Sequence, residues 1–400
     1  MKMAIVVPEF NAGGVETFIL RLASFMKKGG HEVTLISTHE KGEWWGRLSN
    51  YELESECLSK TKSLSPVTHM VKIGKYIKNK SFDIVILNNE RYTQASLNML
   101  PDKINAIPII HNDAEFAYEI GCANLSAWNV IVGVSPKVCY KIKTTVGARP
   151  VVEIPYGVET PGEELLQRHR KFDKHLKLLF VGRIEHVQKG VLFLPDVVAG
   201  CLKNGLDVSL TIVGDGSDLG KLRNKINRIG LWNNVSFLGL LPHEEVYDVL
   251  LSHHILLLPS FFEGLAIIAL ESQACGCVPV ASKLQGITDR AIEDGTTGIL
   301  VQPGNIDELI KAITDLNRCP EKWAAMSMEG HSRVERMFSV ESMGQSYLRL
   351  FHDVIHGCYP LPYSRRKYYP VSLSLLKWRD FVPNYLRKIK RIILESHRID

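Results

Sequence analysis

Two acidic residues, eight positions apart, form the strongest chemical signal in the chain. Glu263 and Glu271 lie in the segment 259–271, which follows an apolar run. The pattern predicts that a strand ends before this segment, that a turn carries Glu263-Gly264, and that a helix then runs to about Cys275. If the spacing were fully helical, the carboxylates would be about 12 Å apart along the axis and about 80° apart around it. They would then line one side of an elongated ligand.

This pair indicates a ligand with hydroxyl groups at both ends and phosphate between them. A carboxylate can accept paired hydrogen bonds from neighbouring hydroxyls. The N–H groups at the start of the predicted helix, beside Gly264, suit a phosphate. A nucleotide sugar presents its groups in that order. The alternative is a solvent-exposed helix with two unrelated acids, which the apolar sequence between them disfavours.

Two cations follow another predicted strand. Arg183 comes directly after an apolar run that ends at Gly182, and Lys189 precedes Gly190. At the carboxyl end of a strand they could neutralise a leaving diphosphate, arginine in a bidentate manner and lysine as a point charge. Ordinary surface charge is the alternative interpretation.

The first half of the chain carries weaker signals. The segment Ala12-Gly13-Gly14-Val15-Glu16 follows the first apolar run, and glycines there let a backbone approach a ligand, although the dinucleotide fingerprint is absent. His111 ends another run and should point to the ligand side, unless it is a structural histidine. No Asp-x-Asp and no His/Cys cluster with ligand spacing occurs. We therefore expect no metal and no cofactor besides a donor substrate.

Short apolar runs rich in β-branched residues alternate with helix-sized segments along the whole chain. Such runs predict parallel strands covered by helices on both faces. In the first half they span 4–8, 32–37, 83–88, 107–111, 130–135 and 151–155. In the second half they span 177–182, 208–214, 235–239, 255–259, 278–282 and 298–301.

The predicted fold class is therefore α/β, with two Rossmann-like doubly wound parallel-sheet domains that face each other across a cleft. A polar stretch near 159–175 is interpreted as the linker. The expected domains are an acceptor-side domain at 1–160 and a nucleotide-sugar-binding domain at 173–340. A C-terminal helical extension follows: a helix at 341–356 that could pack back on the first domain, and a basic amphipathic tail at 357–400. Ligands of such sheets bind beyond the carboxyl ends of the strands.

Taken in order, these motifs resemble the GT-B glycosyltransferases of family 4, a large retaining family. The resemblance extends from Met1 to about His356. The matching segments are Gly13-Gly14-Val15-Glu16, Ile154-Pro155-Tyr156-Gly157-Val158, Gly182-Arg183 with Lys189-Gly190, Glu263 to Glu271, Gly276-Cys277-Val278-Pro279-Val280, and Glu293 to Val301.

The resemblance implies roles for these positions. Arg183 and Lys189 would hold the diphosphate. Glu271 would bind the ribose hydroxyls and Glu263 the hydroxyls of the donor sugar. The backbone amides that would face the phosphate or sugar are those of Gly264, Leu265 and Ala266. The other groups near the donor would be His111 at the sugar, Gly14 at the phosphate and acceptor, and Leu241 at the base. The catalytic set would be Arg183, Lys189, Glu263 and His111.

The implied activity is metal-independent, retaining transfer of a hexose-type sugar from a nucleotide-diphosphate sugar to a saccharide or lipid-linked acceptor. The setting would be cell-surface polysaccharide, lipopolysaccharide or glycolipid synthesis. No side chain is an evident covalent nucleophile, so we expect front-face attack through an oxocarbenium-like state. The alternatives are a catalytically silent subunit that binds sugar nucleotides or acts as a scaffold, and a GT-B sugar-nucleotide epimerase.

The net charge of +5 is concentrated at the C-terminus. The segment 357–400 holds ten Lys/Arg and three acids, and 383–397 predicts a basic amphipathic helix. Such a helix binds an anionic membrane surface, or else packs its apolar stripe on the body. The near-neutral body disfavours nucleic acid as a partner. With no signal peptide or membrane span, we expect a cytoplasmic protein, peripheral at the inner face of the membrane, with its eight cysteines reduced.

Overall fold

The computed structural model describes residues 1–11, 13–59, 65–169, 172 and 174–365, and its chain contacts define two compact units. Of the described residues, unit 1 contains those in Met1–Gly133 and Cys139–Ile154 and those from Ser346 onward, while unit 2 contains those in Val134–Val138 and Pro155–Gln345. Each unit is built around one parallel sheet, as the alternation of apolar runs and helical segments predicts.

The sheet of unit 1 has seven strands in the order β3-β2-β1-β4-β5-β6-β7. All its pairings are parallel. The strand order reverses at β1, which pairs with β2 on one side and β4 on the other. The strands are β1 (Lys2–Val7), β2 (Glu32–Ser37), β3 (Glu54–Cys57), β4 (Ile84–Asn88), β5 (Asn105–Ile110), β6 (Ile131–Gly133) and β7 (Val151–Glu153).

β3 is the strand of unit 1 that the apolar runs do not predict. Its sequence, Glu-Ser-Glu-Cys, is mostly exposed, and it lies at the edge of the sheet. An edge strand of this kind is held by its backbone pairing to β2 rather than by an apolar face, so hydrophobic periodicity does not reveal it.

The sheet of unit 2 has six parallel strands in the order β10-β9-β8-β11-β12-β13. Its order reverses at β8, which lies between β9 and β11, and the carboxyl ends at such a reversal are where ligands of open α/β sheets bind. The strands are β8 (Leu176–Val181), β9 (Val208–Val213), β10 (Val235–Gly239), β11 (Ile255–Leu258), β12 (Val278–Ser282) and β13 (Ile299–Val301).

Helices separate the strands throughout. Up to residue 146 they are α1 (Gly14–Lys28), α2 (Pro66–Lys80), α3 (Arg91–Ser96), α4 (Glu115–Gly121) and α5 (Pro136–Val146). From residue 163 they are α6 (Glu163–His169), α7 (His186–Lys189), α8 (Leu194–Lys203), α9 (Leu219–Arg228), α10 (His243–Leu251), α11 (Ile267–Ala274), α12 (Thr288–Ala291), α13 (Ile306–Arg318), α14 (Pro320–Met337) and α15 (Val340–Ile355). The expected C-terminal helix at 341–356 corresponds to α15.

The segment interpreted as a linker, 159–175, contains helix α6 and belongs to unit 2. Leu166 of α6 is fully buried in a cluster that also contains Leu250 and Leu256. The helix is short and most of its residues are polar, so hydrophobic periodicity does not reveal the apolar residue that packs.

Both sheets lie in apolar cores. In unit 1, Ile5 of β1 and Ile86 of β4 are fully buried, and in unit 2 Phe180 and Ile212 are fully buried.

All eight cysteines are unpaired, as expected. Within the part of the chain that the structure describes, no helix combines the length and the apolarity needed to cross a bilayer.

Arg365, counted in the sequence among the basic residues of the tail, is instead buried in unit 1 with 1% of its surface exposed. Its guanidinium donates to the carbonyl oxygens of Ala127 (2.7 and 3.0 Å), Pro101 (2.8 Å) and Ile104 (2.7 Å). Its backbone N–H donates to Asp102 (3.0 Å). Burial lowers its pKa to about 10, against the opposing effect of Asp102. This arginine is a structural anchor rather than a surface charge.

The rest of the predicted basic tail lies outside the described residues. This applies to the amphipathic segment 383–397 and to the membrane contact expected from it.

Candidate functional site

The loops after β8 and β9 pack against each other, backbone to backbone. The N–H of Gly182 donates to the carbonyl oxygen of Val213 (3.0 Å), and the N–H of Gly214 donates to that of Gly239 (2.7 Å). Gly214 has a φ of 132°, and a Cβ atom there would overlap the carbonyl oxygen of Gly182. Only glycine meets both conditions, and this contact supports the loop that carries Arg183.

The short helix α7 brings Lys189 to the end of β11. α7 ends at Lys189, and Gly190 follows in the left-handed region with a φ of 64°. A Cβ atom at Gly190 would overlap the carbonyl oxygen of Pro259. The N–H of Phe261 donates to the carbonyl oxygen of Gln188 (2.8 Å). These contacts join the loop after β8 to the loop after β11, and so place Lys189 among the residues that follow β11.

Lys189 and Glu263 form an ion pair with little solvent exposure. Nζ of Lys189 lies 2.6 Å from Oε1 of Glu263, and the side chains are 15% and 8% exposed. The hydroxyl of Ser260, which is fully buried, donates to the same oxygen (2.7 Å). Two donors on one carboxylate oxygen fix its position and offset the cost of burying its charge.

Arg183 is the solvent-facing cation of the site. Its side chain is 67% exposed, and Nη1 lies 3.4 Å from Oε2 of Glu185. A surface ion pair at this distance contributes little free energy. The guanidinium can therefore turn from Glu185 toward an anionic ligand at small cost.

Glu271 is held by a histidine. It lies in α11, is 5% exposed, and its Oε1 is 2.8 Å from Nε2 of His243, the first residue of α10. The ring of Tyr247 contacts that of His243 edge-to-face, with centroids 5.3 Å apart. Leu241, two residues before His243, is partly buried against the apolar cluster beside this helix. Leu241, expected near the base, is therefore close in sequence to His243. His243 in turn contacts Glu271, the acid expected to bind the ribose.

The two glutamates do not lie on one helix, in agreement with the predicted turn at Glu263-Gly264, so the distances of a fully helical spacing do not apply. α11 begins only at Ile267, so Glu263 lies in the preceding loop and Glu271 in the helix. Ala266 has a φ of −20° and a ψ of 78°, outside the helical region, and Leu265 and Ala266 are buried. Gly264, Leu265 and Ala266 lead directly into the start of α11, and the approach of their amides to a ligand stays a prediction.

His111 lies in unit 1, directly after β5, and is 3% exposed. Asn88 donates through Nδ2 to the carbonyl oxygen of Val6 (3.1 Å), so its Oδ1 accepts from Nε2 of His111 (2.8 Å). The imidazole also contacts the ring of Phe18 at a centroid distance of 5.3 Å. Burial lowers the pKa of His111 to about 3. The histidine is therefore neutral near pH 7 and acts as a hydrogen-bonding group, not as a proton donor of imidazolium type.

Gly14 is the first residue of α1, also in unit 1. The turn is closed by the N–H of Thr17, which donates to the carbonyl oxygen of Gly13 (3.0 Å). Burial raises the pKa of Glu16 to about 7, while backbone N–H groups of Glu16 and Asn11 act in the opposite direction. The Gly-Gly-x-Glu motif thus forms the start of α1, and its own acid, Glu16, lies in the first turn of that helix and is partly protonated near pH 7.

The structure brings part of the expected site together. Lys189 contacts Glu263 directly, while Glu271 contacts His243, and Arg183 lies in the loop that α7 continues. The expected residues that belong to unit 2 are Arg183, Lys189, Leu241, Glu263, Gly264, Leu265, Ala266 and Glu271, and those that belong to unit 1 are Gly14 and His111.

Sequence reasoning missed two side chains of this site, Ser260 and His243. Ser260 had a usable signal, because it is the first polar residue after β11 and precedes Glu263 by three positions. His243 had none, since its partner Glu271 is 28 residues further along the chain.

No group of three His, Cys, Asp or Glu side chains within the described ranges is arranged to hold a metal ion.

Residues 162–333 match the family model of glycosyl transferases group 1. Over 191 residues the chain is 29% identical to the alpha-D-kanosaminyltransferase of Streptomyces kanamyceticus, an alignment that covers 48% of this chain and 49% of that protein. The chain thus spans about half the length of this relative. Over 341 residues it is 25% identical to the phosphatidyl-myo-inositol mannosyltransferase of Mycobacterium tuberculosis, with 79% of this chain and 86% of that protein covered.

Solved structures show the same fold. The Anabaena protein HepE, crystallised in complex with UDP and glucose, superposes with a TM-score of 0.73 at 18% identity, covering 88% of this chain and all of that one. The chain therefore has the GT-B fold expected from its motifs, and its second unit is similar to group 1 glycosyl transferases. The matched range contains the whole Arg183–Glu271 part of the candidate site.

Proposed function

We propose that this protein is a retaining glycosyltransferase of family 4, which moves a hexose-type sugar from a nucleotide-diphosphate sugar to a saccharide or lipid-linked acceptor. One observation carries the proposal: the buried carboxylate of Glu263 is held by Lys189 and Ser260 at the strand-order reversal of unit 2. A structural ion pair could form elsewhere in the unit, whereas the carboxyl ends of the strands at such a reversal are where ligands of open α/β sheets bind.

The residues divide the work between charge neutralisation and hydroxyl recognition. Arg183 and Lys189 stabilise the negative charge that develops on the diphosphate as the glycosidic bond breaks. Glu263 accepts hydrogen bonds from the hydroxyls of the donor sugar, and Glu271 accepts them from the ribose. Two cations beside the phosphates supply the charge that a divalent metal supplies in other transferases, so we propose that the reaction needs no metal.

Retention follows if the acceptor hydroxyl attacks from the face that the diphosphate leaves. Glu263 is bound to Lys189 through Oε1, so it serves as a hydroxyl acceptor rather than as a nucleophile. His111, neutral near pH 7, donates or accepts a hydrogen bond but does not supply an imidazolium proton. The anomeric configuration of the isolated product tests this route, and an inverted linkage contradicts it.

The proposed donor and acceptor classes draw on the relatives. The HepE structure contains UDP and glucose, and the mycobacterial relative is named for a mannosyl transfer to a phosphatidylinositol. By similarity we propose a nucleoside-diphosphate hexose as donor and a saccharide or glycolipid of the cell surface as acceptor. The basic sequence of 357–400 favours action at the inner face of the membrane. Co-sedimentation of the full chain with phosphatidylglycerol vesicles, against phosphatidylcholine vesicles, tests the membrane part.

The decisive experiment measures donor binding and donor turnover. A thermal-shift screen with UDP-, GDP- and ADP-sugars identifies the base, and turnover is then followed with and without a saccharide acceptor. Arg183→Ala and Lys189→Ala should abolish turnover. Lys225→Ala is the matched control, because Lys225 also forms an ion pair in unit 2, with Asp196 (2.5 Å), but lies on α9. Binding without turnover would identify a silent subunit, and turnover of the sugar without an acceptor product would identify an epimerase.

A further inference from the structure

The two carboxylates of the site share one construction. In each, the protein bonds Oε1 through side-chain donors: Lys189 and Ser260 bond Glu263, and His243 bonds Glu271. In the second pair the side chains are 19% and 6% exposed, and Nε2 and Oε1 are 2.8 Å apart. The donor to Glu271 belongs to a different helix, so its contact is not a consequence of local sequence.

We propose that His243 is the positioning residue of the donor site, which fixes the carboxylate of Glu271 in the orientation that receives the ribose hydroxyls. The inference rests on the proposed function and deepens it, because it concerns the ribose half of the same site. It assigns to His243 a part in nucleotide recognition without contact to the reacting atoms.

Burial of the Glu271 carboxylate has a cost. A charged group with only 5% of its surface exposed has lost nearly all of its hydration. Its ionised form then depends on hydrogen bonds from the protein. The imidazole of His243 donates such a bond. The ionised carboxylate is also the form that accepts from two hydroxyls, since a protonated one would be a donor on one of its oxygens.

The bond to His243 also sets the orientation of the carboxylate. An ionised carboxylate offers about four acceptor positions on its two oxygens. With Oε1 bonded to His243, the plane of the group is set, and so is the direction of its remaining lone pairs. Vicinal hydroxyls are held well only by a carboxylate of fixed orientation, because a freely rotating group loses side-chain entropy when the ligand binds.

His243 is itself held in place. Tyr247, one helical turn later on α10, packs its ring edge-to-face on the imidazole at 5.3 Å. The hydroxyl of Tyr247 donates to the carbonyl oxygen of Glu159 and accepts from its N–H, both at 3.2 Å. The contacts therefore run from Glu159 through Tyr247 and His243 to Glu271, the carboxylate proposed to bind the ribose.

The competing explanation is that the His243–Glu271 bond only ties α10 to α11. The chain provides a matched control for it. His175 and Asp207 form a histidine–carboxylate pair of the same length, 2.8 Å, at the starts of β8 and β9. This pair therefore lies at the edge of the same sheet opposite to the candidate site. A purely structural bond at either place leaves ligand selectivity unchanged.

The test measures the affinity of UDP, GDP and ADP by calorimetry, and then that of the 2′-deoxy form of whichever binds most tightly. The proteins are the wild type, His243→Ala, His243→Gln and His175→Ala. In the wild type we expect loss of the 2′-hydroxyl to weaken binding about tenfold, the usual effect of one hydrogen bond to a charged group. In His243→Ala the ribonucleotide should bind about tenfold more weakly, and the 2′-deoxy penalty should fall to about twofold.

Glutamine at 243 can still donate an N–H to Glu271, so His243→Gln should regain most of the affinity and of the 2′-deoxy penalty. It also provides the measurement if His243→Ala does not fold. His175→Ala should match the wild type in both. In turnover, the His243 variants should raise KM for the donor more than they lower kcat, since the ribose contact is present before and during the reaction.

The outcomes are distinguishable. A full 2′-deoxy penalty in both His243 variants overturns this inference and leaves the proposed function in place, even if overall affinity falls. If none of the three diphosphates binds the wild type, the proposed function fails and this inference with it. A penalty that disappears in His243→Ala and returns in His243→Gln supports the inference, because a merely structural bond does not couple to one hydroxyl of the ligand.

Discussion

Nζ of Lys189 lies 2.6 Å from Oε1 of Glu263, and neither side chain has more than a small part of its surface in water. Each charge would be costly at this depth without the other. The pair therefore offsets the cost of burying both charges, and it holds a lysine beside the position proposed for the diphosphate. A bound diphosphate would compete with Glu263 for that lysine, which couples donor binding to the release of the glutamate toward the sugar.

The first prediction concerns the coupling of these two charges. Lys189→Met should lower the free energy of unfolding by about 3 kcal/mol, because it leaves the buried carboxylate of Glu263 with Ser260 as its remaining donor in this arrangement. The double variant Lys189→Met/Glu263→Gln should recover a substantial part of that loss. Urea unfolding of the wild type, both single variants and the double variant measures the coupling. Losses that add within about 0.5 kcal/mol contradict it.

The second prediction concerns Gly190. Gly190→Ala must place a Cβ atom against the carbonyl oxygen of Pro259 at a φ of 64°, so it should shift the loop and displace Lys189. Gly230 is the matched control, since it has a similar φ of 73° with no atom within 4 Å of its Cβ position. Gly230→Ala should cost about 1 kcal/mol of backbone strain alone, and Gly190→Ala clearly more. Donor binding should be lost only in Gly190→Ala, and equal effects in the two variants would show that the contact with Pro259 is unimportant.

The two parallel sheets can be predicted from the sequence because the same alternation of apolar runs and helical segments repeats along the whole chain. Buried strands such as β4 and β11 are continuous apolar runs, and continuous runs in alternation with helical segments are typical of parallel sheets. Glu263 and Glu271 stand out for a related reason, since an acid in an apolar segment near a strand end has few structural explanations. The pattern does not predict where α11 begins, because Leu265 and Ala266 satisfy a helix and a buried loop equally well.

Hydrophobic periodicity does not predict contacts between residues that are distant in the chain. His243 reaches Glu271 through the packing of α10 near α11, and Arg365 reaches carbonyl groups more than 230 positions earlier. From the sequence, Arg365 is predicted to be an exposed residue of the basic tail, because it is charged and its neighbours in the sequence are basic. Its burial follows from a concave set of backbone oxygens that only the folded unit creates.

The third prediction concerns pH and His111. Its folded pKa of about 3 lies below the ordinary value of 6.5, so the unfolded chain takes up a proton first as the pH falls. The stability from its neutral form is complete above pH 6.5 and is lost as the pH falls from there toward 3, by up to about 1.4 kcal/mol per unit. Urea unfolding at pH 7.5, 6.5, 5.5 and 5.0 should show this slope in the wild type and a reduced one in His111→Gln.

Glutamine is chosen because its side-chain amide can still donate to Asn88 but does not titrate. Glu16, whose pKa burial raises to about 7, titrates in part of the same range with the opposite sign. It is present in both proteins, so the difference between their pH profiles isolates His111. Parallel profiles would show that the imidazole is not buried as neutral in solution.

The fourth prediction concerns Arg365. Arg365→Met keeps the length of the side chain but removes the guanidinium donors to the carbonyl oxygens of Ile104 and Ala127, and leaves that of Pro101 with the N–H of Ile104 (3.0 Å). Because buried acceptors without a partner cost about 1–3 kcal/mol each, we expect a loss of about 3 kcal/mol in the free energy of unfolding. Arg365→Lys should lose nearly as much, since an ammonium group is a point donor and cannot replace the planar fork of the guanidinium.

Arg349→Met is the matched control, because Arg349 is exposed on α15 and its contact to Ser346 is long, at 3.4 Å. It should leave the urea midpoint within experimental error of the wild type. Equal midpoints for Arg365→Met and Arg349→Met would show that the segment before residue 366 is not anchored to unit 1. A loss confined to the Arg365 variants, with nucleotide affinity unchanged, would show that the anchor contributes to the stability of unit 1 and not to the donor site of unit 2.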